Sequence, residues 1–160
     1  MNIAIRPIQS ADDSAIANII QSVGREFGAI GEGFGPSDAE VLAMSQHYNP
    51  EQKSQYWVAT LNGEIIGCGG IAPFALSDSC CELRKLFILS QARGYGIGKQ
   101  LMNVALDTAR EFGYTQCYLD TLANMQAAIA LYEKFGFAHL DQPMEGTEHN
   151  GCDVWMLKQL

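Results

Sequence analysis

The feature that most constrains this chain is a run of glycines between a predicted strand and a predicted amphipathic helix. In the segment RGYGIGK, residues 93–99, glycine occupies every second position. Glycine lets the backbone approach a ligand closely, and the first turn of a helix offers N–H groups without intrahelical partners. Arg93 and Lys99 add positive charge at a helix end where cations are otherwise unfavourable. The segment therefore predicts an anion site, most simply one for phosphate.

Three phosphate-binding patterns compete for this segment. A P-loop requires G-x-x-x-x-G-K-[ST], but Arg93 stands at the first glycine position and Gln100 follows the lysine. A dinucleotide fingerprint G-x-G-x-x-G fails where Lys99 replaces its last glycine, and the preceding strand belongs to a hairpin-rich order rather than a βαβ unit. The third pattern, R-x-x-G-x-G, is met by Arg93, Gly96 and Gly98.

The flanks of the turn extend this third pattern into a family resemblance. LRKLFILSQARGYGIGKQLM (residues 83–102) resembles the strand, pyrophosphate turn and helix of the GCN5-related N-acetyltransferase (GNAT) family. NMQAAIALYEKFGF (residues 124–137) resembles the family's later helix. The resemblance spans roughly residues 3–160 and is most specific over 82–137. Ser90 stands where the family often has proline, a departure that concerns the rigidity of the turn.

Hydrophobic periodicity predicts the order β-α-α-β-β-β-α-β-α-β-β. Asn62-Gly63 between two apolar runs is a strong hairpin signal. Ser37 or Asp38 is expected to cap a second short helix that reaches about Tyr48. The order indicates an α+β fold with a mixed, largely antiparallel central sheet and helices on both faces, and it is similar to the acyl-CoA N-acyltransferase fold of the GNAT family.

Length and composition favour one folded unit. The 160 residues suit a single N-acetyltransferase domain over residues 1–160, with 48% hydrophobic and 18% charged residues. No apolar run approaches the ~20 residues that span a bilayer, and no secretory signal is recognised, so a cytoplasmic location is expected.

Charge and cysteine content exclude other classes. A net charge of −8 argues against nucleic acid and anionic membrane as partners. The five cysteines form no C-x-x-C motif and cluster with no histidine, which predicts neither a disulfide framework nor a metal site.

The resemblance implies acetyl-CoA as co-substrate and assigns residues to it. Pantetheine would pair with backbone groups of the strand before the turn, at Phe87, Ile88 and Leu89. Backbone groups around the turn would hold the pyrophosphate, at Arg93, Gly94, Tyr95, Gly96, Ile97, Gly98 and Lys99. Asn124 is expected to cap the first turn of the next helix and, by resemblance, to contact the cofactor.

Two residues are candidates for proton transfer. Tyr132 matches the family tyrosine that protonates the departing thiolate, although a tyrosine in the core is the alternative. Glu82 is the best candidate base, with Asp120 a weaker one and attack without a dedicated base also open. Strand alternation places Glu82 and Arg84 on one face and Leu83, Lys85 and Phe87 on the other. The alternative for Glu82 is a solvated ion pair with Arg84.

The remaining ionisable residues have no clear pattern. Glu26, Glu32 and Asp38 lie in or beside the glycine-rich segment 24–38, which shapes the acceptor site in the GNAT family, although solvated surface acids are expected at each position. The three histidines are expected to be surface or packing residues; they are His47, His139 and His149.

The function implied is transfer of an acetyl group from acetyl-CoA to a primary amine of a small molecule, by direct transfer in a ternary complex. Two alternatives stay open: a catalytically weak acetyl-CoA-binding regulatory module, and an acetyltransferase acting on a protein amine. Family members often pair through their final strands, so a homodimer is a candidate assembly. The sequence does not name the acceptor amine.

Overall fold

Seven strands form one mixed sheet in the computed structural model, which describes all residues from 1 to 160. The strands are β1 (Ile3–Pro7), β2 (Gln55–Leu61), β3 (Glu64–Pro73), β4 (Cys80–Ile88), β5 (Gln116–Thr121), β6 (Ala138–Leu140) and β7 (Val154–Gln159). Their order across the sheet is β1-β2-β3-β4-β5-β7-β6. Only β4 and β5 run parallel, and all other neighbours are antiparallel.

Three α-helices cover the two faces of the sheet; they are α1 (Asp13–Glu26), α2 (Ile97–Glu111) and α3 (Gln126–Lys134). The apolar stripe of α1 packs with β2 and β3 in one core, where Ile16 and Ile20 are fully buried. On the opposite face α2 and α3 share a second core, which includes Leu101 and Tyr132. The predicted α+β fold is confirmed. None of the helices combines the length and apolar character needed to cross a bilayer.

Two predicted turns are present in the structure. Asn62 and Gly63 connect β2 to β3 with φ angles of 51° and 85°, as a type I′ hairpin turn requires. Helix α2 begins directly after Gly96 and is followed by Gly113 at φ 90°, the left-handed residue that commonly ends a helix.

The predicted second α-helix is wrong. The segment forms short 3₁₀ turns instead, at Gly35–Ser37 and at Ala39–Gln46, and the latter is interrupted by non-helical angles at Ala43. Asp38 makes no capping hydrogen bond because its carboxylate is engaged elsewhere, by Lys85 and His149. Tertiary contacts therefore remove the cap on which the prediction depended.

A β-bulge in β4 changes which side chains share a face. The pairing of β3 with β4 shifts between Cys68 and Gly70, and Lys85 takes a left-handed φ of 49°. The Tyr56 hydroxyl donates to the Lys85 carbonyl oxygen at 2.6 Å and so stabilises the bulge. Gly70 makes room for this arrangement, because a Cβ there would lie 2.4 Å from the Tyr56 ring.

The bulge corrects the predicted alternation. Glu82 and Arg84 share a face as expected, but Lys85 lies with them and not with Leu83. Phe87 likewise packs in the core of α1, opposite Leu83. One extra residue in β4 moves every later side chain to the other face.

The parallel strands β4 and β5 separate after a short contact. Their pairing covers only three positions and ends at Glu82 and Tyr118. Beyond that point, the edge of β4 from residue 83 to residue 88 has no partner strand on the β5 side. The separation opens the centre of the sheet, and the side chains around this opening form the candidate site.

Candidate active site

A long groove of about 420 Å³ runs along the free edge of β4. The end of α1, the glycine turn and the first turn of α3 form its walls. Most of the residues predicted to hold the cofactor line it; they are Phe87, Ile88, Arg93, Gly94, Gly96, Ile97, Gly98, Lys99 and Asn124. Leu89 instead packs against the cores, and Tyr95 projects from the surface.

The glycine turn carries a set of free backbone donors. None of the amide N–H groups of residues 94–99 donates to an acceptor within the protein, and the first backbone bond of the helix runs from Gln100 to the Gly96 carbonyl. Gly94 and Gly96 have φ angles of 88° and 80°, which only glycine adopts without strain. Lys99 is exposed and forms no ion pair. Successive free amides beside a cation are suited to an oligophosphate.

Arg93 is already paired within the protein. Its guanidinium donates to both carboxylate oxygens of Glu26, at 2.6 and 2.9 Å, and its Nε–H donates to the Ile88 carbonyl at 3.0 Å. The Arg93 hydrogen bonds lower the pKa of the Glu26 carboxyl. The acid at position 26 is therefore paired with a residue of the groove wall, although its side chain is 40% exposed.

Asn124 does not cap α3. The cap position is Met125, and no side-chain capping bond forms there. The Asn124 Nδ2 amide donates instead to the carbonyl of Phe27 at 2.9 Å. This bond joins the end of α1 to the start of α3 across the groove.

The strand gap, which we define as the cavity of about 70 Å³ between the separated ends of β4 and β5, contains Tyr132. The Tyr132 ring is 6% exposed and packs against Phe137, yet its hydroxyl hydrogen-bonds to no protein group. Burial, with a smaller contribution from Cys117, raises the pKa of Tyr132, so the phenol stays protonated at neutral pH. The strand gap shares Leu86, Phe87 and Met125 with the long groove.

A polar pocket of about 140 Å³ lies on the far side of the strand gap. Seven charged side chains line it, and six of them follow one another in a closed cycle of alternating sign, which we call the charge ring; the seventh is Glu148. In cyclic order its members are Lys85, Asp38, His149, Glu82, Arg84 and Glu40. Four members also line the strand gap; they are Glu82, Arg84, Lys85 and His149.

One half of the charge ring is centred on Lys85. Its ammonium lies 2.9 Å from Asp38 and 3.2 Å from Glu40, and its side chain is almost wholly buried. The same oxygen of Asp38, Oδ2, also lies 3.0 Å from His149 Nε2. Burial raises the pKa of Asp38, but hydrogen bonds from His149 and Lys85 outweigh burial and hold it at about 2. Because this lysine lies in the bulge, strand alternation could not predict its contacts.

The other half of the charge ring contains Glu82. Its Oε1 accepts the Nε–H of Arg84 at 2.8 Å, and its Oε2 lies 3.7 Å from His149 Nδ1 without a hydrogen bond. The Arg84 Nη1 lies 4.0 Å from Glu40. The predicted ion pair of Glu82 and Arg84 exists, but it is buried rather than solvated. Burial raises the pKa of Glu82 and Arg84 opposes the rise, so this carboxylate is a stronger base than an ordinary exposed glutamate.

His149 joins the charge ring to β5. Its Nδ1 hydrogen-bonds to Asp120 Oδ1 at 3.1 Å and its Nε2 to Asp38, so it is not the surface or packing residue that the sequence predicted. Thr147 also donates to Asp120, which leaves this weaker candidate base committed to other partners. No motif surrounds His149, and only the return of the β6–β7 loop onto β5 brings it here.

A pH-dependent stability follows from His149. Burial lowers the pKa of His149, but hydrogen bonds to Asp120 and Asp38 outweigh it and raise the pKa to about 10. The folded state then retains a proton that the unfolded chain loses near pH 6.5, so the stabilisation is full below that pH and is lost as pH rises towards 10. We expect the unfolding free energy to fall by roughly 3 kcal/mol more in wild type than in His149→Gln between about pH 6.5 and 9, measured by urea denaturation.

The matched control for this measurement is His139→Gln. His139 pairs with Glu133 at 2.9 Å on the surface, where both side chains are about half exposed. In this variant the unfolding free energy should depend on pH as it does in the wild type. A His149→Gln profile parallel to the wild type would show that the imidazole is not charged in the folded protein.

The geometry agrees with what comparison with known proteins finds. Residues 20–137 match the family model described as the acetyltransferase (GNAT) family. The chain belongs to the GNAT family. It is similar to a protein of Escherichia coli (strain K12) described as the uncharacterized N-acetyltransferase YjgM, with 40% identity over 98% of this chain and 94% of that protein. The resemblance stated from the sequence is thereby confirmed.

Solved structures share the fold. A GNAT-family acetyltransferase from Staphylococcus aureus Mu50 superposes with a TM-score of 0.84 at 20% identity, covering 99% of each chain. The putative acetyltransferase yncA from Salmonella typhimurium, solved with its cofactor acetyl-CoA, has a TM-score of 0.80 at 22% identity over 100% of this chain and 95% of that one. These neighbours place the seven-stranded sheet among the acyl-CoA N-acyltransferase folds.

Proposed function

We propose that this protein transfers the acetyl group of acetyl-CoA to a primary amine of a small molecule, by direct transfer while both substrates are bound. One observation carries the proposal: the strand gap shares lining residues with the long groove on one side and with the polar pocket on the other, so it lies between them. Tyr132 lines the strand gap, and Glu82 lines both the strand gap and the polar pocket.

The residues of the long groove fit acetyl-CoA. Residues 94–99 offer six free amides and Lys99 adds a charge, as a pyrophosphate requires. Phe87 and Ile88 line the groove at the free edge of β4, where the amides of pantetheine would lie beside the strand; the Ile88 carbonyl there already accepts from Arg93. The Salmonella typhimurium relative with the same fold binds acetyl-CoA, which supports the assignment. When bound, acetyl-CoA supplies an activated acetyl group on a thioester.

On the acceptor side, Glu82 is assigned as the base. A primary alkyl amine is unprotonated to only roughly 0.04% at pH 7, so removing a proton from the ammonium is a real cost. The Oε2 of Glu82 carries no hydrogen bond and is available for that proton, and burial raises the pKa of this carboxyl, which strengthens it as a base.

On the cofactor side, Tyr132 is assigned as the acid. Its free hydroxyl would donate a proton to the sulfur as the C–S bond breaks and the C–N bond forms. The second proton of the amine nitrogen then restores the phenol, and the first leaves through Glu82 to solvent. The balance is one amide, one thiol and one released proton for each ammonium and thioester consumed.

The size of the polar pocket favours a small acceptor. Its volume of about 140 Å³ is below the roughly 300–1,000 Å³ of pockets that hold drug-sized ligands. A peptide would also need an extended surface groove beside this pocket. We therefore assign the amine to a small molecule rather than to a protein.

The test is acceptor-dependent release of free CoA. We expect acetyl-CoA to bind the purified protein, and thiol release, measured with a thiol-reactive dye, to rise at least tenfold above background with at least one small amine of a broad panel. Binding of acetyl-CoA without release by any amine would contradict the proposal and favour a regulatory binding module. Release with peptides alone would favour transfer to a protein amine.

A further inference from the structure

The charge ring has two free binding groups that point to a class of acceptor. Of the N–H donors of the Arg84 guanidinium, only Nε–H makes a hydrogen bond, to Glu82. Nη1 lies 4.0 Å from the nearest Glu40 oxygen, which is too far for a hydrogen bond. Arginine carries five N–H donors. Arg84 lines the polar pocket with no hydrogen bond at Nη, and it is the least buried cation of the ring, 25% exposed against 3% for Lys85 and 12% for His149.

The second free group is the Oε2 oxygen of Glu82. The Oε1 oxygen of the same carboxylate accepts from Arg84, whereas Oε2 has no hydrogen-bond donor and lies 3.7 Å from His149. The Glu82 side chain is 7% exposed, and both the polar pocket and the strand gap include it in their walls. A nearly buried carboxylate oxygen and a guanidinium fork are therefore offered side by side to one ligand.

The free groups of the ring favour a ligand that carries both signs. Within the ring three cations and three carboxylates alternate, while Glu148 in the pocket wall and Asp120 beside His149 add two more carboxylates, so net charge alone does not select the ligand. A diamine would leave the Nη groups of Arg84 without an anion, whereas a ligand with one ammonium and one carboxylate meets an opposite charge with each group. The planar fork of arginine also matches a carboxylate in a bidentate manner.

We propose that the acceptor is a zwitterionic α-amino acid, whose carboxylate binds the Nη groups of Arg84 and whose ammonium lies at Oε2 of Glu82. This assignment rests on the proposed function and deepens it. It places the nitrogen beside the candidate base, at the end of the strand gap that leads to Tyr132. Arg84 becomes the residue that sets specificity, because it distinguishes an amino acid from an amine without a carboxylate.

The first test compares each L-amino acid with its carboxamide, which keeps the amine, the side chain and the size but removes the negative charge. With saturating acetyl-CoA, we expect kcat/KM of the preferred amino acid to exceed that of its amide at least tenfold, and that of putrescine by more. If the amide or the diamine had the same kcat/KM as the amino acid, the inference would be overturned while the proposed function would stay intact. No release with any acceptor, while acetyl-CoA still binds, would overturn both.

The second test assigns the preference to Arg84. In Arg84→Gln the ratio of kcat/KM for acid over amide should fall at least tenfold. Because Arg84 is hydrogen-bonded to Glu82, its replacement also alters the ionisation of Glu82. That effect changes kcat/KM for the acid and for the amide by the same factor, so the ratio of the two reports recognition of the ligand carboxylate alone. Arg110→Gln, which removes an exposed arginine paired with Asp107 on α2, should keep the wild-type ratio. An unchanged ratio in Arg84→Gln, with acetyl-CoA binding retained, would overturn the role of Arg84; if that variant does not fold, the wild-type acid-to-amide ratio decides.

Discussion

Replacing Tyr132 with phenylalanine should lower kcat about 100- to 1,000-fold, whereas the dissociation constant of acetyl-CoA should change less than about twofold. A positioned proton donor contributes on this scale, and the thiolate otherwise departs without a proton. The substitution removes one hydroxyl that bonds to no protein group and retains the ring that packs on Phe137. Turnover is measured by thiol release and cofactor affinity by calorimetry.

Tyr114→Phe is the matched control. Tyr114 is buried too, but its hydroxyl donates to the Lys53 carbonyl at 2.8 Å, and it lines none of the three cavities. This variant should turn over within about threefold of wild type, even if its stability falls by about 1 kcal/mol for the lost hydrogen bond. Wild-type turnover in Tyr132→Phe would remove Tyr132 from the mechanism.

Replacing Gly96 with glutamate should weaken binding of acetyl-CoA at least 100-fold, about 2.7 kcal/mol. The new carboxylate would stand at the N-terminus of α2, among the free amides of residues 94–99, where it would repel the pyrophosphate. Direct titration of acetyl-CoA into the variant gives the dissociation constant.

The control variant Gly113→Glu distinguishes repulsion of the pyrophosphate from the effect of backbone strain. Gly113 lies at the other end of the same helix with φ 90° against 80° for Gly96, and a Cβ at either position meets nothing within 4 Å. Both variants therefore carry similar strain and the same added charge, but only Gly96 lies at the long groove. Equal affinity in both variants would contradict the assignment of the turn to the pyrophosphate.

The two halves of the site handle charge in different ways. The long groove offers an anion neutral backbone amides and one free lysine, so a chain with a net charge of −8 needs few cations there. The polar pocket instead holds three cations and three carboxylates within one ring. An acidic overall charge therefore says little about the acceptor, because local pairing decides what the pocket presents.

The glycine turn at residues 93–99 was predictable because the sequence features that specify it are local. Glycine at 94, 96 and 98, a strand before them and an amphipathic helix after them specify free amides at a helix start whatever the rest of the chain does. The Asn62-Gly63 hairpin was predictable for the same reason, since left-handed residues there select one turn type. Tyr132 was found as a candidate through the family resemblance, and Glu82 through its position on the strand before the turn.

The charge ring could not be predicted, because it depends on contacts between segments far apart in sequence. His149 contacts Asp38 and Asp120 only because the β6–β7 loop folds back over β5. Asp38 makes that contact and does not cap a helix. Lys85 joins the same ring only because a bulge, held by Tyr56 from another strand, breaks the alternation of β4. The sequence by itself thus determined the glycine turn and, apart from the second helix, the order of helices and strands, which follow from short-range geometry. Only the tertiary structure decided the charge ring, since long-range packing selects which buried charges pair.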